Sequence, residues 1–187
     1  MNLPDFSALP TPLRVREFTP ADFDACAQIY RSNLADFLPD ALELLQDHLE
    51  NGFSYFLVLE SAGAVLACGG LDICGETNVA GFTFGMVRRD LHRRGLGTVL
   101  AWTRLALLDG EHDPAFVELE TTLAVEPFYQ RLGFERLSTP ELRYSGGSYY
   151  VSMGRSVSLH ERDSFRAELA RLPLTFKLEF PNARPLT

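Results

Sequence analysis

The chain has 187 residues, of which 46% are hydrophobic and 22% are charged, and its net charge at neutral pH is −8. This length and balance are typical of a globular domain with its own core, and they exclude an intrinsically disordered chain. The acidic balance argues against nucleic acid as a partner, and no apolar run reaches the roughly 18 residues of a membrane-spanning helix.

The N-terminal half of the sequence predicts helices followed by antiparallel strands. Residues 1–11 contain prolines and are expected to form a poorly structured lead-in. Apolar and charged residues alternate over Leu13–Phe18, which predicts a half-buried strand, and Thr19 and Pro20 favour the start of a helix after it. The further predicted elements are, in order, a helix over 40–51, a strand over 53–60, a turn at 61–63, a strand over 64–73 and a turn over 74–78.

The C-terminal half predicts more strands and a helix-strand tail. The predicted elements are, in order, a strand over 82–87, a helix over 99–108, a loop over 110–114, a strand over 115–121, a short helix ending at Gly133, a hairpin over 135–157 that turns at Gly146-Gly147, a helix over 159–172 and a strand over 174–180. Ser158 and Glu161 have the spacing of a capping box. We therefore expect a single domain over 1–187, with a core of about 13–155 and an extension over 156–187.

The stretch from Phe82 to Asp109 has the pattern of a phosphate-binding junction. An apolar strand is followed by a basic turn, Arg88–Arg94, and by Gly95-Leu96-Gly97-Thr98 at the start of an apolar helix. The first N–H groups of a helix lack partners and carry partial positive charge, and glycines let the backbone approach an anion. Two known phosphate motifs do not fit, because Leu100 replaces the third glycine of a dinucleotide site and no Gly-Lys-Ser/Thr triplet occurs.

The remaining pattern resembles the acyl-CoA-binding motif of the GNAT family of N-acetyltransferases. In that family a strand ending in Val precedes [Gln/Arg]-x-x-Gly-x-Gly, and here Val87 precedes Gly95 with His92 at the first motif position. The resemblance implies that acetyl-CoA is the cosubstrate and that its pantetheine arm bonds the backbone of Met86 and Val87. It also implies that the pyrophosphate is held by His92, Arg93, Arg94, Gly95, Leu96, Gly97 and Thr98.

A second stretch resembles the GNAT segment Phe-Tyr-x-x-x-Gly-Phe. It is Phe128-Tyr129 followed by Gly133-Phe134, and the resemblance implies that Tyr129 is the general acid beside the thioester sulfur. Before that tyrosine the family usually has an Asn that contacts the cofactor, and this chain has Thr122 there, which offers a hydroxyl. The alternative interpretation of Tyr129 is one more core aromatic.

The two motifs together imply the fold class of the family, α/β (α+β). The implied architecture is a mixed, mostly antiparallel sheet with helices on both faces, which splays after the strand over Phe82–Val87. The helix-strand extension at the C-terminus is an addition to that core. Its strand over 174–180 has one apolar face and unpaired edges, so we expect it to join a sheet and to favour a homodimer.

The implied reaction is transfer of an acetyl group from acetyl-CoA to a primary amine by direct attack. The leaving thiolate takes a proton from the tyrosine, and a carboxylate or water must deprotonate the amine. The candidate carboxylates are Asp72, Glu76, Glu118 and Glu120, of which Glu120 is favoured because it lies near the end of the neighbouring strand. Small-molecule and peptide amines both remain open as acceptors. Two other classes also remain open: a non-catalytic acetyl-CoA-binding regulatory module, and a structural or dimerising protein with an incidental Gly-rich turn.

The cysteines and histidines predict no metal site. The cysteines form no Cys-x-x-Cys pair, and the N-terminus has no signal-peptide pattern, so a reducing, cytoplasmic location is expected. His48 lies among leucines in a predicted helix and is interpreted as structural. His112 lies between two acidic residues, but three adjacent residues in a loop make a poor chelate. The cysteines are Cys26, Cys68 and Cys74.

Overall fold

The structure is a computed structural model that describes residues 6–34, 41–52, 54–74, 77, 79–108, 113–142 and 148–180. The strands are β1 (Leu13–Glu17), β2 (Tyr55–Ser61), β3 (Ala64–Cys74), β4 (Val79–Val87), β5 (Ala115–Thr122), β6 (Glu135–Arg136), β7 (Glu141–Leu142), β8 (Tyr149–Val157) and β9 (Leu174–Lys177). The helices are α1 (Phe23–Ser32), α2 (Ala41–Asn51), α3 (Leu96–Ala106), α4 (Glu126–Arg131) and α5 (Leu159–Ala170). Within these ranges no helix is long and apolar enough to cross a membrane.

Several predicted features lie outside the described residues. They are Phe53 at the start of a predicted strand, the turn residues 75, 76 and 78, the loop residues 110–112, and the Gly146-Gly147 turn. The hairpin predicted over 135–157 is only partly regular, because β6 and β7 have two residues each and both pair with β8.

The strands form one mixed sheet. Its order is β6-β8-β5-β4-β3-β2-β1-β9, with β7 paired to β8. The pairs β4–β5 and β1–β9 are parallel, and the other pairs are antiparallel. This confirms the predicted mixed, mostly antiparallel sheet. β4 and β5 run parallel because α3 crosses over between them, as parallel neighbours require.

Helices cover both faces of the sheet, as predicted. Successive side chains of a strand point to opposite faces. In β2, Phe56 and Val58 join a buried cluster with the apolar side chains of α1 and α2, whereas Leu57 and Leu59 join a second cluster with α3 and α5. A strand buried on both faces has an almost continuous apolar sequence, which explains the run over 55–59.

β4 and β5 separate partway along their length. They pair from Val79 with Phe116 as far as Phe82 with Leu119, and no pairing follows. On its other edge β4 has a bulge opposite Gly69, and at this bulge Phe84 has a left-handed φ of 45°. A bulge bends its strand and increases the local twist, so it turns the end of β4 away from β5. The predicted splay therefore begins within the strand rather than after it.

The segment before β1 packs against the core, which corrects the expectation of a poorly structured lead-in for residues 6–11. The Phe6 ring makes an edge contact with Trp102 of α3, with ring centroids 5.5 Å apart. Leu9 is buried in the core, and its N–H donates to the Phe6 carbonyl oxygen over 3.1 Å. The apolar side chains at these two positions hold the segment in place by burial.

The C-terminal extension completes the sheet of its own chain. α5 begins at the predicted capping box, where the Ser158 N–H donates to Glu161 Oε2 over 2.9 Å and the Glu161 N–H donates to Ser158 Oγ over 3.3 Å. β9 pairs in parallel with β1, from Leu13 with Leu174 to Arg16 with Lys177. The predicted addition to a sheet is confirmed, but the strand is shorter than 174–180. Since the partner strand belongs to the same chain, the tail does not require a second subunit.

Candidate active site

The split between β4 and β5 opens into a cavity of about 690 Å³. The bulged half of β4 forms one wall, the start of α3 closes one end, and β5 with α4 forms the opposite wall. The predicted site residues that line it are Met86, Val87, His92, Arg93, Gly95, Gly97, Thr98, Glu120, Thr122 and Tyr129. Two others are not among its lining residues: Arg94, whose side chain is exposed, and Leu96, which is buried in the core.

Helix α3 directs free N–H groups at one end of the cavity. Its N-cap is Gly95, and no side chain of the described residues forms a capping hydrogen bond with this end of the helix. The Val99 N–H donates to the Gly95 carbonyl oxygen over 3.0 Å, so the N–H groups of the three residues between them have no acceptor within the helix. Together with the helix dipole, these groups form a site for an anion such as a phosphate.

Gly95 and Gly97 are glycines for different physical reasons. Gly95 has a left-handed φ of 85°, and a Cβ on it would lie 2.9 Å from the Phe6 ring, so the fold itself requires glycine there. A Cβ on Gly97 would lie 3.4 Å from the Phe128 ring and 3.7 Å from Val87, which are ordinary contacts. The fold therefore tolerates a small side chain at Gly97, and its absence leaves the backbone open to the cavity.

Two side chains fix the end of β4 at the edge of the split. Asn33 Nδ2 donates to the Val87 carbonyl oxygen over 2.9 Å, and His92 Nε2 lies 2.9 Å from the same oxygen. Because a carbonyl only accepts, His92 Nε2 is the protonated nitrogen in this contact, and the two donors fill both lone pairs of the oxygen. Sequence analysis does not single out Asn33, because an Asn just after a helix is usually a local cap.

The N–H of Val87 faces the split. The N–H of the next residue, Arg88, donates to the Leu66 carbonyl oxygen beside β3 over 2.9 Å. Backbone groups of successive strand residues point to opposite edges, so the Val87 N–H points toward β5, which has diverged at this level. It is a backbone donor available to a ligand in the cavity. The Met86 side chain is buried with α1 and α2.

The basic turn presents less charge to the cavity than its composition indicates. Arg88 holds Asp90 in a bidentate pair, with Nε–Oδ1 at 2.7 Å and Nη2–Oδ2 at 3.0 Å. The Arg88 guanidinium lowers the pKa of the Asp90 carboxyl, which stays ionised and offsets one positive charge. Arg93, with a left-handed φ of 61°, lines the cavity. Arg93 is therefore the arginine of this turn that lines the cavity.

Thr122 lies at the end of β5 beside the cavity. It is buried, and its Oγ1 has no hydrogen-bond partner among the described residues. Leaving a buried polar group unpaired costs about 1–3 kcal/mol, so a polar ligand group that bonds this hydroxyl would be stabilising. The residue therefore fits the contact that the sequence resemblance implies for its position.

Tyr129 directs its hydroxyl across the split toward β4. Its ring makes edge contacts with Phe128 and Phe134, with centroids 4.9 and 5.6 Å away. Its hydroxyl oxygen lies 3.3 Å from the point where a Cβ on Gly85 would stand. Tyr129 thus combines a ring packed in the core with a hydroxyl that reaches the cavity, which is the placement a proton donor needs.

Arg104 is a buried cation that sequence analysis does not single out. It is the charged residue of an otherwise apolar α3 and is 1% exposed. Its Nη1 donates to the Gly70 carbonyl oxygen over 3.2 Å, and its guanidinium lies 4.0 Å from the centre of the Phe82 ring. Burial lowers the pKa of Arg104, and the neighbouring Tyr129 and Cys68 oppose that effect. Arg104 also lines the cavity.

Of the four candidate bases, only Glu120 lines the cavity in the part of the chain that the structure describes. Glu118 lies two residues earlier on β5, where it pairs with Gly81 of β4 and the two strands have not separated. Asp72 is on β3, and its Oδ1 accepts from the Ser54 N–H over 3.3 Å. Glu76 lies outside the described residues.

Of His48 and His112, the structure describes the surroundings of His48 only. His48 Nδ1 lies 2.8 Å from the Leu44 carbonyl oxygen, and its ring makes an edge contact with Phe84, with centroids 5.7 Å apart. His112 lies outside the described residues. Within those residues, no three His, Cys, Asp or Glu side chains gather in a way that would hold a metal ion.

Solved structures share this fold. Ard1 from Thermoplasma volcanium matches with a TM-score of 0.64 and 26% identity, over 78% of this chain and 97% of that one. The ribosomal-protein-S18-alanine N-acetyltransferase from Escherichia coli matches with a TM-score of 0.63 and 18% identity, over 79% and 95%. N-acetylglutamate synthase from Neisseria gonorrhoeae, solved with coenzyme A and N-acetyl-glutamate, matches with a TM-score of 0.58 and 20% identity, over 77% and 35%.

Comparison of the sequence with protein families shows which family the chain belongs to. No curated protein matches the chain. The profile of the acetyltransferase (GNAT) family matches residues 23–134, a range that contains both the Gly-rich start of α3 and Tyr129. Because the matched range is more than half of the chain, the protein belongs to the GNAT family of acetyltransferases, enzymes that transfer the acetyl group of acetyl-CoA.

Proposed function

We propose that this protein transfers an acetyl group from acetyl-CoA to a primary amine by direct attack, with Tyr129 as the general acid. The observation that carries the proposal is the position of the Tyr129 hydroxyl in the split, 3.3 Å from the Cβ position of Gly85. The same cavity begins at the uncapped end of α3. One cleft therefore holds both an anion site and a proton donor.

The residues around the cleft fit an acyl-CoA ligand. The N–H groups at the start of α3, with the charge of Arg93, suit the pyrophosphate. The Val87 N–H suits the polar groups of the pantetheine arm, and so does the Thr122 hydroxyl, which has no hydrogen-bond partner in the described ranges. The proposed binding set is Met86, Val87, His92, Arg93, Arg94, Gly95, Leu96, Gly97, Thr98 and Thr122.

Two side chains would handle the protons of the reaction. Acetyl-CoA supplies the acetyl group as a thioester, whose sulfur needs a proton when it leaves. Tyr129 holds that proton at Oη, in a buried position next to β4. Glu120 is exposed at the rim of the cavity, so it suits the uptake of a proton from the attacking amine and its release to solvent.

The acceptor belongs to the class of small-molecule or peptide amines. A protein with a net charge of −8 attracts a cationic amine before it is deprotonated. The free cysteines agree with a reducing, cytoplasmic setting, which we also propose. The tail does not support the expected homodimer, because β9 pairs with β1 of the same chain.

A panel of amines with acetyl-CoA tests the proposal, with free CoA thiol as the measured product. Tyr129→Phe removes one hydroxyl, and we expect turnover to fall by roughly 100-fold while acetyl-CoA affinity is retained. Tyr149→Phe makes the same change at an exposed tyrosine and is the matched control. Normal turnover in Tyr129→Phe would show that Tyr129 is a core aromatic and not the general acid. Acetyl-CoA binding without turnover on any amine would instead support a regulatory module.

A further inference from the structure

Arg104 is a buried charge with few compensating contacts. Only 1% of its surface is exposed, and no carboxylate pairs with it among the described residues. Its guanidinium donates to the Gly70 carbonyl oxygen, lies over the face of Phe82 and hydrogen-bonds Tyr129, whereas its Nε has no hydrogen-bond partner in the described parts of the chain. A buried cation without an anion destabilises a fold, so packing alone does not explain this residue.

Two glycines make room for the guanidinium beside Tyr129. A Cβ on Gly69 would lie 3.3 Å from Arg104 Nη1, and a Cβ on Gly85 would lie 3.0 Å from Nη2. The point that such a Cβ on Gly85 would occupy is also 3.3 Å from Tyr129 Oη. The guanidinium and the hydroxyl therefore meet over the bare backbone of Gly85, at the level where β4 and β5 separate.

Other titratable groups near this point do not supply a competing anion. Cys68 on β3 faces the guanidinium, but its contact with Cys26 of α1, together with burial, raises the pKa of the Cys68 thiol well above its ordinary value. The thiol is therefore neutral. Glu120 on β5 is exposed at the cavity rim, where water screens its charge. Tyr129 on α4 is the group whose charge would change beside Arg104.

We propose that Arg104 is a positioning residue that acts through Tyr129, by holding its hydroxyl at the split and stabilising the phenolate that proton donation leaves behind. The inference rests on the proposed role of Tyr129 as the acid. In that step the O–H bond at Oη breaks, an S–H bond forms on the leaving group, and the phenolate remains. Arg104 keeps its protons throughout and gains an anionic partner, which is worth most in a site shielded from water.

The first test asks whether the charge of Arg104, rather than its volume, supports the reaction. Arg104→Met and Arg104→Gln fill much of the same space without a charge, so both should lower kcat. Arg104→Lys keeps a cation and should retain more of the wild-type kcat than either uncharged variant. Equal kcat values in Arg104→Lys and in an uncharged variant that folds overturn the inference.

The second test uses turnover of acetyl-CoA with the best amine of the panel. Arg104→Met should lower kcat by about tenfold or more with little change in the KM for acetyl-CoA, since an adjacent opposite charge shifts such an equilibrium by about that factor. In the Tyr129→Phe background it should have no further effect. If Tyr129→Phe lowers turnover and Arg104→Met does not, the inference alone fails. If Tyr129→Phe has normal turnover, the proposed function and the inference both fail.

Discussion

Asn33 Nδ2 donates to the Val87 carbonyl oxygen over 2.9 Å, and this hydrogen bond ties the end of α1 to the last residue of β4. The same Nδ2 donates to the Ile29 carbonyl oxygen over 2.8 Å, so one amide both closes the helix and fixes the strand. Asn33 is buried and lines the cavity. Its position therefore sets the wall of the cleft at the point where the Val87 N–H faces a ligand.

Removing this amide should weaken both the fold and the site. Asn33→Ala leaves the Ile29 oxygen and the Val87 oxygen with one donor fewer each, which should lower the free energy of unfolding by roughly 1–2 kcal/mol. Acetyl-CoA affinity should fall as well, because the end of β4 loses an anchor. Urea unfolding and calorimetric titration measure the two effects. Gln46→Ala, which removes an exposed amide in α2, should change neither. Unaltered affinity in Asn33→Ala would show that the anchor does not matter for binding.

Side chains of increasing size at Gly97 should block the ligand before they disturb the fold. The nearest atom to an added Cβ is 3.4 Å away, so Gly97→Ala and Gly97→Val should both fold. Gly97→Val should abolish acetyl-CoA binding, because its branched side chain covers the N–H groups at the start of α3. Gly81→Val, in the part of β4 that still pairs with β5, is the control and should bind normally. Calorimetric titration with acetyl-CoA measures the affinity of each variant. A folded Gly97→Val protein with wild-type affinity would contradict the anion site at the start of α3.

Gly85 tests whether the space over the strand is needed for chemistry. In Gly85→Ala the new methyl group would stand 3.0 Å from Arg104 Nη2 and 3.3 Å from Tyr129 Oη, so at least one of the two must move. We expect kcat to fall by about tenfold or more while acetyl-CoA affinity is largely kept, since small displacements of catalytic groups are costly. Gly81→Ala, where an added Cβ would make only an ordinary contact of 4.0 Å with Asp72 Cβ, is the matched control. Equal kcat values in both variants would show that this contact does not limit the reaction.

Much of the fold could be predicted from local patterns. Alternation located β1, and the alternating tail predicted a strand that joins a sheet, because a half-buried strand shows its period directly. The bulge at Phe84 could not be predicted, because its left-handed φ depends on the pairing of β4 with β3 rather than on Phe itself. The packing of Phe6 on Trp102 escaped prediction for a similar reason, since a short proline-containing segment has no period to read.

Some residues of the candidate site could likewise be predicted from the sequence, and others could not. The positions of Gly95, Gly97, Thr98 and Tyr129 at one cavity could be predicted from the two motifs that resemble those of the GNAT family, whereas their roles there stay predictions. Arg104 and Asn33 could not, since their roles come from which side of α3 and α1 meets the split. A single Arg in an apolar helix can reach solvent with its long stem or be buried, and the sequence does not distinguish the two.

The pair Arg16–Asp22 should make stability depend on acid pH. Asp22 is buried, and Arg16 Nη1 and Nη2 donate to its two oxygens over 2.7 and 2.8 Å. The Arg16 guanidinium lowers the pKa of Asp22 from 3.8 to about 2. A carboxyl with a depressed folded pKa adds stability above its unfolded pKa, and here about 2 kcal/mol should be lost as the pH falls from about 4 to about 2.

Unfolding in urea across this pH range measures the effect. Asp22→Asn should lose roughly 2 kcal/mol at neutral pH and show a weaker dependence between about pH 4 and about pH 2 than wild type. Asp24→Asn changes an exposed carboxylate in the first turn of α1 and should keep the wild-type dependence of stability on pH. If Asp22→Asn has the same acid dependence as wild type, other carboxyl groups account for it.

Cutting the chain after Arg171 tests what the tail strand does. β9 covers the edge of β1, and its apolar residues Leu174 and Phe176 pack half-buried against the core. Losing them should lower the free energy of unfolding by roughly 3 kcal/mol, since each full burial contributes about 1.5–3 kcal/mol.

The cut retains α5, whose Phe165 and Leu169 belong to the core, so the remaining chain should still fold. Its exposed β1 edge should then self-associate, because an unpaired edge is a template for another strand. Light scattering on the full-length and the cut protein measures their mass in solution. Lys177→Ala, at an exposed position of β9, is the control and should keep the mass and the stability of the full-length protein. A full-length dimer that the cut converts to a monomer would place β9 between subunits and restore the homodimer that its apolar face predicted.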